Sequence, residues 1–261
     1  MKYLLFSFFL MFSSLLHAAI QEKNVEYTAN DTALKGYLAW DDAKGVKQPG
    51  VIVVHEWWGL NDYARKRARM LAELGYTALA VDMYGDGETS EHPNEASAFM
   101  RSVMEHAGIA EQRFRAGMDF LRQQASVDAE NIAAIGYCFG GAVVLDMARL
   151  GLPLKAAASF HGNLQTKTPA QSGKVLAEVL VLNGGADSFV TQDSIKAFET
   201  EMKQAGASYQ LINYPGALHG FTNPDADQIG KANNIPLAYN AQADAESWQA
   251  MRDLFNRVFK Q

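Results

Sequence analysis

The sequence has a single cysteine among its 261 residues, and this scarcity limits the chemistry that the chain can support. One cysteine cannot form an internal disulfide, and it cannot supply the several thiolates of a zinc or iron–sulfur site. Basic residues are also in the minority, because 23 Lys and Arg face 29 Asp and Glu, for a net charge of -6. An acidic chain repels a phosphate backbone, so nucleic acid is excluded as the expected partner.

A long apolar run occurs only at the N-terminus. Residues 1–19 carry one charge, Lys2, followed by an apolar run over residues 3–16 and by the small residues Ala18 and Ala19. This order is typical of a secretory signal peptide, and the run is too short to span a bilayer comfortably. We expect cleavage after Ala18 or Ala19, export to a periplasm or the medium, and no membrane partner afterwards. Such compartments oxidise thiols, so an unpaired cysteine there needs a functional reason.

Residues 20–261 alternate predicted strands and helices and contain no internal repeat or linker. A β-hairpin comes first, with a turn at residues 29–31, and a polar loop follows over Asp41–Gly50. The later strands are predicted at Val51–Val54, Thr77–Val81, Ile132–Ile135, Ala156–Phe160, Val179–Leu182 and Tyr209–Tyr214. The helices are predicted at Tyr63–Leu74, Pro93–His106, Ile109–Gln124, Ala142–Leu150, Ser194–Ala205 and Ala238–Phe259.

This alternation predicts one α/β domain, with a mostly parallel central sheet and helices on both faces. Short, fully apolar strands such as Val51–Val54 are typical of a sheet buried on both sides. Neither a Gly-x-Gly-x-x-Gly turn after this strand nor a phosphate-binding Lys-Ser/Thr loop is present, which argues against a nucleotide cofactor.

The cysteine lies in the segment Gly136-Tyr137-Cys138-Phe139-Gly140, between a predicted strand and a predicted helix. Gly-x-Cys-x-Gly in this context matches a nucleophile elbow, with cysteine in the place of the more usual serine. The tight turn requires glycine on both sides of the nucleophile, whose own backbone is strained. The N-terminus of the following helix then stabilises negative charge. A buried structural cysteine is the alternative interpretation.

A catalytic thiol needs a base and a group that orients the base. In this type of fold the order along the chain is nucleophile, acid, histidine. Asp187 follows Val179–Leu182 and His219 follows Tyr209–Tyr214, so both lie at the carboxyl ends of strands, where open α/β sheets place their sites. We therefore predict that Asp187 and His219 accompany Cys138.

Other residues could fill these roles. Asp193 lies close to the predicted acid, and His161 also follows a strand. His92 and His106 fall in a helical region and are expected at the surface. Without a His-Glu-x-x-His motif or a close His/Asp cluster, we expect no metal.

Several motifs together resemble the dienelactone hydrolase family of α/β-hydrolases, and the resemblance covers nearly all of residues 20–261. The main motifs are Gly136–Gly141, Gly184–Asp187 and His219–Phe221. The segments His55–Gly59, Val81–Tyr84 and Ala238–Asn240 also match. The family hydrolyses esters and lactones, and its best-known member opens a dienelactone to maleylacetate.

The resemblance implies a Cys–His–Asp triad. Cys138 would be the nucleophile, His219 the base and Asp187 the group that orients it. The backbone N–H groups of Trp57 and Phe139 would form the oxyanion hole. No cofactor is implied.

The resemblance also implies that Glu56 contacts the resting thiol and influences its ionisation. The sequence departs from the family at two arginines that hold the substrate carboxylate. One arginine of the family follows the segment that matches Val81–Tyr84, where this chain continues with Gly85 and Asp86. The other lies four residues after the catalytic histidine, where this chain has Asn223. Without these clamps an anionic lactone is a poor substrate. Trp57 and Trp58 suggest an aromatic wall that binds substrate, although such a pair is equally typical of a core.

We therefore predict a hydrolase of small esters or lactones that acts through a thioester. A non-catalytic binding protein on the same fold is an alternative, and so is a thiol redox sensor, although no resolving cysteine exists. The segment Thr222–Pro236 is interpreted as a lid or as a surface loop.

Overall fold

The computed structural model describes residues 20–43, 47–106 and 108–259, which form one eight-stranded sheet and seven helices. The predicted signal peptide therefore lies outside the described residues. The strands are β1 (Ile20–Ala29), β2 (Thr32–Asp41), β3 (Gln48–Val54), β4 (Thr77–Val81), β5 (Val127–Tyr137), β6 (Ala156–Phe160), β7 (Glu178–Gly184) and β8 (Tyr209–Tyr214). The helices are α1 (Asp62–Glu73), α2 (Pro93–Met104), α3 (Ile109–Arg122), α4 (Phe139–Arg149), α5 (Gln192–Ala205), α6 (Ala226–Asn233) and α7 (Ala241–Phe259).

The strands follow the order β1-β2-β4-β3-β5-β6-β7-β8 across the sheet. The hairpin of β1 and β2 is antiparallel and joins β4 in antiparallel orientation, whereas all pairs from β4 to β8 are parallel. The carboxyl ends of β3, β5, β6, β7 and β8 consequently meet at one edge. This arrangement confirms the predicted mostly parallel α/β sheet.

Alternate residues of the central strands point into two separate cores. Ile52 and Val54 pack with side chains of α3, α4 and α5, whereas Val51 and Val53 pack with α1 and α7. All four valine and isoleucine side chains are fully buried. Helices thus cover both faces, as the uninterrupted apolar strands predict.

Several boundaries differ from the prediction. The strand predicted at Ile132–Ile135 is longer, and the helix predicted to begin at Ala142 begins at Phe139. Two other differences have a clear physical cause. The polar loop predicted over Asp41–Gly50 extends too far, because β3 already begins at Gln48. The Gln48 N–H donates to Ser126 O at 2.7 Å, and the Gln48 side chain donates to Asp41 O at 3.0 Å. The last helix begins at Ala241 rather than Ala238. Asn240 caps it by accepting a hydrogen bond from Ala243 N at 3.0 Å.

The segment Thr222–Pro236 contains helix α6, which the sequence analysis did not predict. The interpretation of this segment as a surface loop is wrong for its first two residues, because Thr222 and Asn223 are buried. After α6 the chain returns to the sheet edge, where Ala238 N donates to His219 O at 3.3 Å. None of the helices in the described ranges is both long and apolar enough to cross a membrane.

Candidate active site

Cys138 occupies a sharp turn between β5 and α4. Its backbone has φ 52° and ψ -113°, a conformation that L-residues rarely adopt. A Cβ atom added to Gly136 would lie 2.0 Å from Gly140 O, and one added to Gly140 would lie 2.3 Å from Val54 O. The turn therefore has the steric requirement for glycine on both sides that the sequence motif predicts.

Asp187 and His219 meet at the same edge of the sheet, after β7 and β8. His219 Nδ1 lies 2.8 Å from Asp187 Oδ2, and both side chains are buried. Because an ionised carboxylate only accepts hydrogen bonds, Nδ1 carries the proton of this bond and Nε2 is the ring's other polar atom. His219 and Cys138 line the same cavity. The structure thus brings the three predicted residues together.

The surroundings of His219 favour its protonated form. Burial lowers its pKa, but the negative charge of a Cys138 thiolate and the hydrogen bonds to Asp187 and Cys138 outweigh burial and raise the pKa to about 10. The arrangement can therefore hold a proton on the imidazole beside the Cys138 sulfur.

Cys138 and His219 open into a cavity of about 450 Å³. Its polar lining consists of these two residues with Glu56 and Asn163. Its apolar wall consists of Trp57, Trp58, Met100, Met104, Phe139, Ala142, Phe189, Val190, Ile235 and Leu237. Within the described part of the chain no lysine or arginine lines it. The cavity is suited to an uncharged, apolar ligand.

Glu56 is buried in the cavity wall, and its Oε2 accepts a hydrogen bond from Asn223 Nδ2 at 2.8 Å. Burial raises the pKa of Glu56, and the bond from Asn223 together with the charges of His219 and Arg67 offsets this only in part. Asn223 therefore contacts the glutamate at the position where the family resemblance leads us to expect an arginine.

The predicted oxyanion donors, Trp57 and Phe139, both line the cavity beside Cys138. Phe139 is the first residue of α4, so its N–H has no partner within the helix. Within the described residues, neither N–H donates to a protein acceptor. Trp58 packs on Trp57 with ring centroids 4.8 Å apart and also reaches the cavity.

The alternative candidates lie elsewhere or have other contacts. His161 is fully buried and contacts the Cys138 backbone rather than a carboxylate. Asp193, His92 and His106 are exposed, as is Asp86, which does not line the cavity. A search of the described residues for three or more clustered metal-ligating side chains found none.

Comparison with known proteins identifies the family of this chain. A family model described as the dienelactone hydrolase family matches residues 34–259. This chain belongs to the dienelactone hydrolase family. As a member of this family it is a hydrolase, and the predicted family and enzyme class are confirmed.

Relatives cover most of this hydrolase. Protein usf of Aquifex pyrophilus is 28% identical over 211 residues, which are 78% of this chain and 89% of that protein. A crystal structure of a dienelactone hydrolase-like promiscuous phosphotriesterase from metagenomic libraries is 38% identical, with a TM-score of 0.87 over 92% of this chain and 99% of the other. The dienelactone hydrolase of Anabaena variabilis, at 22% identity and a TM-score of 0.61 over 84% of this chain and 99% of the other, shares the fold.

Sequence reasoning missed much of the cavity wall of this dienelactone hydrolase family member. Met100 and Met104 are four residues apart on α2, a spacing that indicates one helix face but not what that face contacts. Phe189, Ile235 and Leu237 lie in loops and carry no sequence signal for the cavity.

Proposed function

We propose that this hydrolase cleaves uncharged carboxylic esters or lactones by covalent catalysis, with Cys138 as the nucleophile. The observation that carries the proposal is the 2.8 Å bond between His219 Nδ1 and Asp187 Oδ2, made beside a cysteine on a strained turn. This arrangement supports the assignment of a nucleophile, a base and a group that orients the base.

In the first half-reaction, Cys138 Sγ attacks the carbonyl carbon while its proton resides on His219 Nε2. Negative charge develops on the carbonyl oxygen, where the N–H groups of Trp57 and Phe139 stabilise it. One such donor can contribute about 3 kcal/mol. The tetrahedral intermediate collapses, the C–O bond breaks, and the alcohol leaves with the proton from His219.

In the second half-reaction, water attacks the resulting thioester. His219 takes a proton from this water, and Asp187 stabilises the imidazolium that forms. Breaking the C–S bond releases the carboxylic acid, and the proton returns to the thiolate or remains on His219. A lactone follows the same steps, except that its alcohol stays attached to the acyl group.

The cavity supports an uncharged substrate rather than the anionic dienelactone. Its wall is mostly apolar, and its ionisable lining other than the nucleophile and base is Glu56, which repels a carboxylate when ionised. Asn223, bonded to this glutamate, cannot form the bidentate pair that an arginine makes with a carboxylate.

Initial rates of purified residues 20–261, kept in reductant, test the proposal. The panel pairs each neutral aryl ester or lactone with an analogue that carries a carboxylate, and it includes the dienelactone. We expect turnover of the neutral member of each pair, with at least a 10-fold lower kcat/KM for the anionic one. Cys138→Ala should abolish turnover and keep the far-UV circular dichroism spectrum.

Other outcomes distinguish the alternatives. Turnover that survives in Cys138→Ala would contradict the proposed nucleophile. A folded protein with a titratable thiol and no turnover would favour a binding protein, or, if Cys138 oxidises reversibly, a redox sensor. Equal rates on both members of each pair would contradict the proposed charge selectivity alone.

Phosphotriesters form a second candidate substrate class. The structure that is 38% identical to this chain is titled a promiscuous phosphotriesterase. A phosphotriester is uncharged and suits the same apolar cavity, so one belongs in the panel. Its turnover should also depend on Cys138.

We further propose that residues 1–19 direct export and are removed. Cells that express the full chain should release a protein beginning at Ala19 or Ile20. Mass spectrometry of its N-terminal peptide measures this, and a peptide that retains Lys2 would contradict export by a cleaved signal.

A further inference from the structure

His161 is a buried histidine in the active site that the proposed reaction does not use. It follows β6 directly, is fully buried, and has φ 42° although it is not glycine. Its Nδ1 lies 3.1 Å from Cys138 N, and its Nε2 lies 2.8 Å from Thr222 Oγ1. Both ring nitrogens are therefore engaged, one of them by the backbone of the proposed nucleophile.

These contacts determine where the proton of His161 resides. Because the Cys138 N–H donates, Nδ1 must be an unprotonated acceptor, so Nε2 carries the hydrogen and donates it to Thr222 Oγ1. Thr222 Oγ1 also lies 2.6 Å from the Tyr63 hydroxyl. The Arg67 guanidinium donates to Thr222 O at 2.6 Å and holds this residue in place.

A neutral His161 ring is also compatible with a protonated His219 beside it. The two ring centroids lie 5.1 Å apart at an angle of 64°. Burial, followed by the charges of His219 and Arg67, holds the pKa of His161 well below its usual value. A neutral His161 places no like charge beside the imidazolium that forms on His219.

We propose that His161 is a positioning residue that holds the Cys138 backbone in its strained conformation, so that the thiol points at His219 and the substrate carbonyl. The Cys138 N–H also donates to Phe160 O at 3.0 Å, so His161 shares this donor with β6. The inference rests on the proposed function, because it assigns a task in presenting the nucleophile.

Three substitutions of His161 test the proposal. In His161→Asn, the side-chain oxygen can take the place of Nδ1, and asparagine tolerates a positive φ. In His161→Gln, the amide reaches toward Thr222 but offers no acceptor to Cys138 N. His161→Gly lacks the acceptor and is free of backbone strain at this φ.

We expect the Asn variant to keep kcat within about 5-fold, and the Gln and Gly variants to lose roughly 100-fold with little change in KM, because small misplacements of a reacting group cost rates of this order. The rate of Cys138 alkylation by iodoacetamide, which needs no ester, should fall in the same order. Thermal unfolding identifies any loss that comes from a damaged fold.

Equal activity in all three variants, or equal loss in Asn and Gln, would overturn the role of His161. A loss in Gln that the strain-free Gly variant does not share would do the same, because backbone strain would then explain it. If no variant turns over any ester but alkylation still separates Asn from Gln and Gly, the proposed function fails while the positioning role stands.

Discussion

Asn223 donates its side-chain N–H to the Glu56 carboxylate at 2.8 Å, although 167 residues separate them in the sequence. The amide satisfies one carboxylate oxygen but adds no positive charge. Glu56 is buried, so its charged form lacks both water and a directly bonded cation. Burial therefore dominates and raises the pKa of Glu56, and the hydrogen bond from Asn223 offsets this rise only in part.

Glu56→Gln should stabilise the fold at neutral pH. A carboxyl whose pKa is raised by folding contributes stability below its ordinary value of 4.5 and loses it as pH rises through the folded pKa. Glutamine keeps an acceptor for Asn223 and has no charge to bury. Urea unfolding between pH 4 and pH 8 should show a gain that grows with pH, and a gain independent of pH would contradict this account.

The same substitution should make the Cys138 thiol more reactive. An ionised Glu56 near the thiol opposes the thiolate, so its removal should increase alkylation and peroxide inactivation at a given pH. Iodoacetamide rates measured across pH check this. An unchanged pH profile together with unchanged peroxide sensitivity would show that Glu56 has no such role.

Asp187→Asn should lower kcat by about 10³- to 10⁴-fold, because the imidazole loses the carboxylate that fixes its tautomer and stabilises its charge. In the wild-type protein, Phe189 N–H donates a hydrogen bond to Asp187 Oδ1 at 2.8 Å. The asparagine side chain still offers an oxygen that can accept this bond. Asp193→Asn is the matched control on an exposed neighbouring carboxylate. Steady-state kinetics of both variants should separate them by at least 100-fold in kcat.

Phe189→Ala should lower kcat/KM for aryl esters by about 10-fold, since truncation removes a large apolar contact surface. Phe189 is 51% exposed, lines the cavity and forms a T-shaped ring contact with His219, with centroids 5.0 Å apart. Leu176→Ala is the control, because Leu176 is 63% exposed and does not line the cavity. Equal effects of the two variants would contradict a role of Phe189 in substrate binding.

Gly136→Ala should prevent folding or destabilise the protein severely. The added Cβ would lie 2.0 Å from Gly140 O, and the backbone of a tight turn cannot move away cheaply. Gly173→Ala, at φ 72° with nothing within 4 Å of its Cβ, should cost only about 1–2 kcal/mol. Soluble yield and denaturant unfolding compare the two.

The sequence by itself determined the order and type of most elements. β4, β6 and β8 have the predicted boundaries, because a short apolar run ended by glycine, proline or a polar residue leaves little choice. The turn at Cys138 was equally determined by its two glycines, since its requirement is steric and local. Boundaries that depend on a distant partner were wrong, as at Gln48, which pairs with Val127 of β5.

Only the tertiary structure decided which of these residues meet. His161 and His219 both follow strands, and the sequence predicted His219 as the base with His161 as an alternative. The fold places His219 against Asp187 and His161 against the Cys138 backbone. The cavity wall and the Glu56–Asn223 pair were likewise set by packing. Periodicity determines which face of an element is buried, but the partner it finds depends on the three-dimensional path of the whole chain.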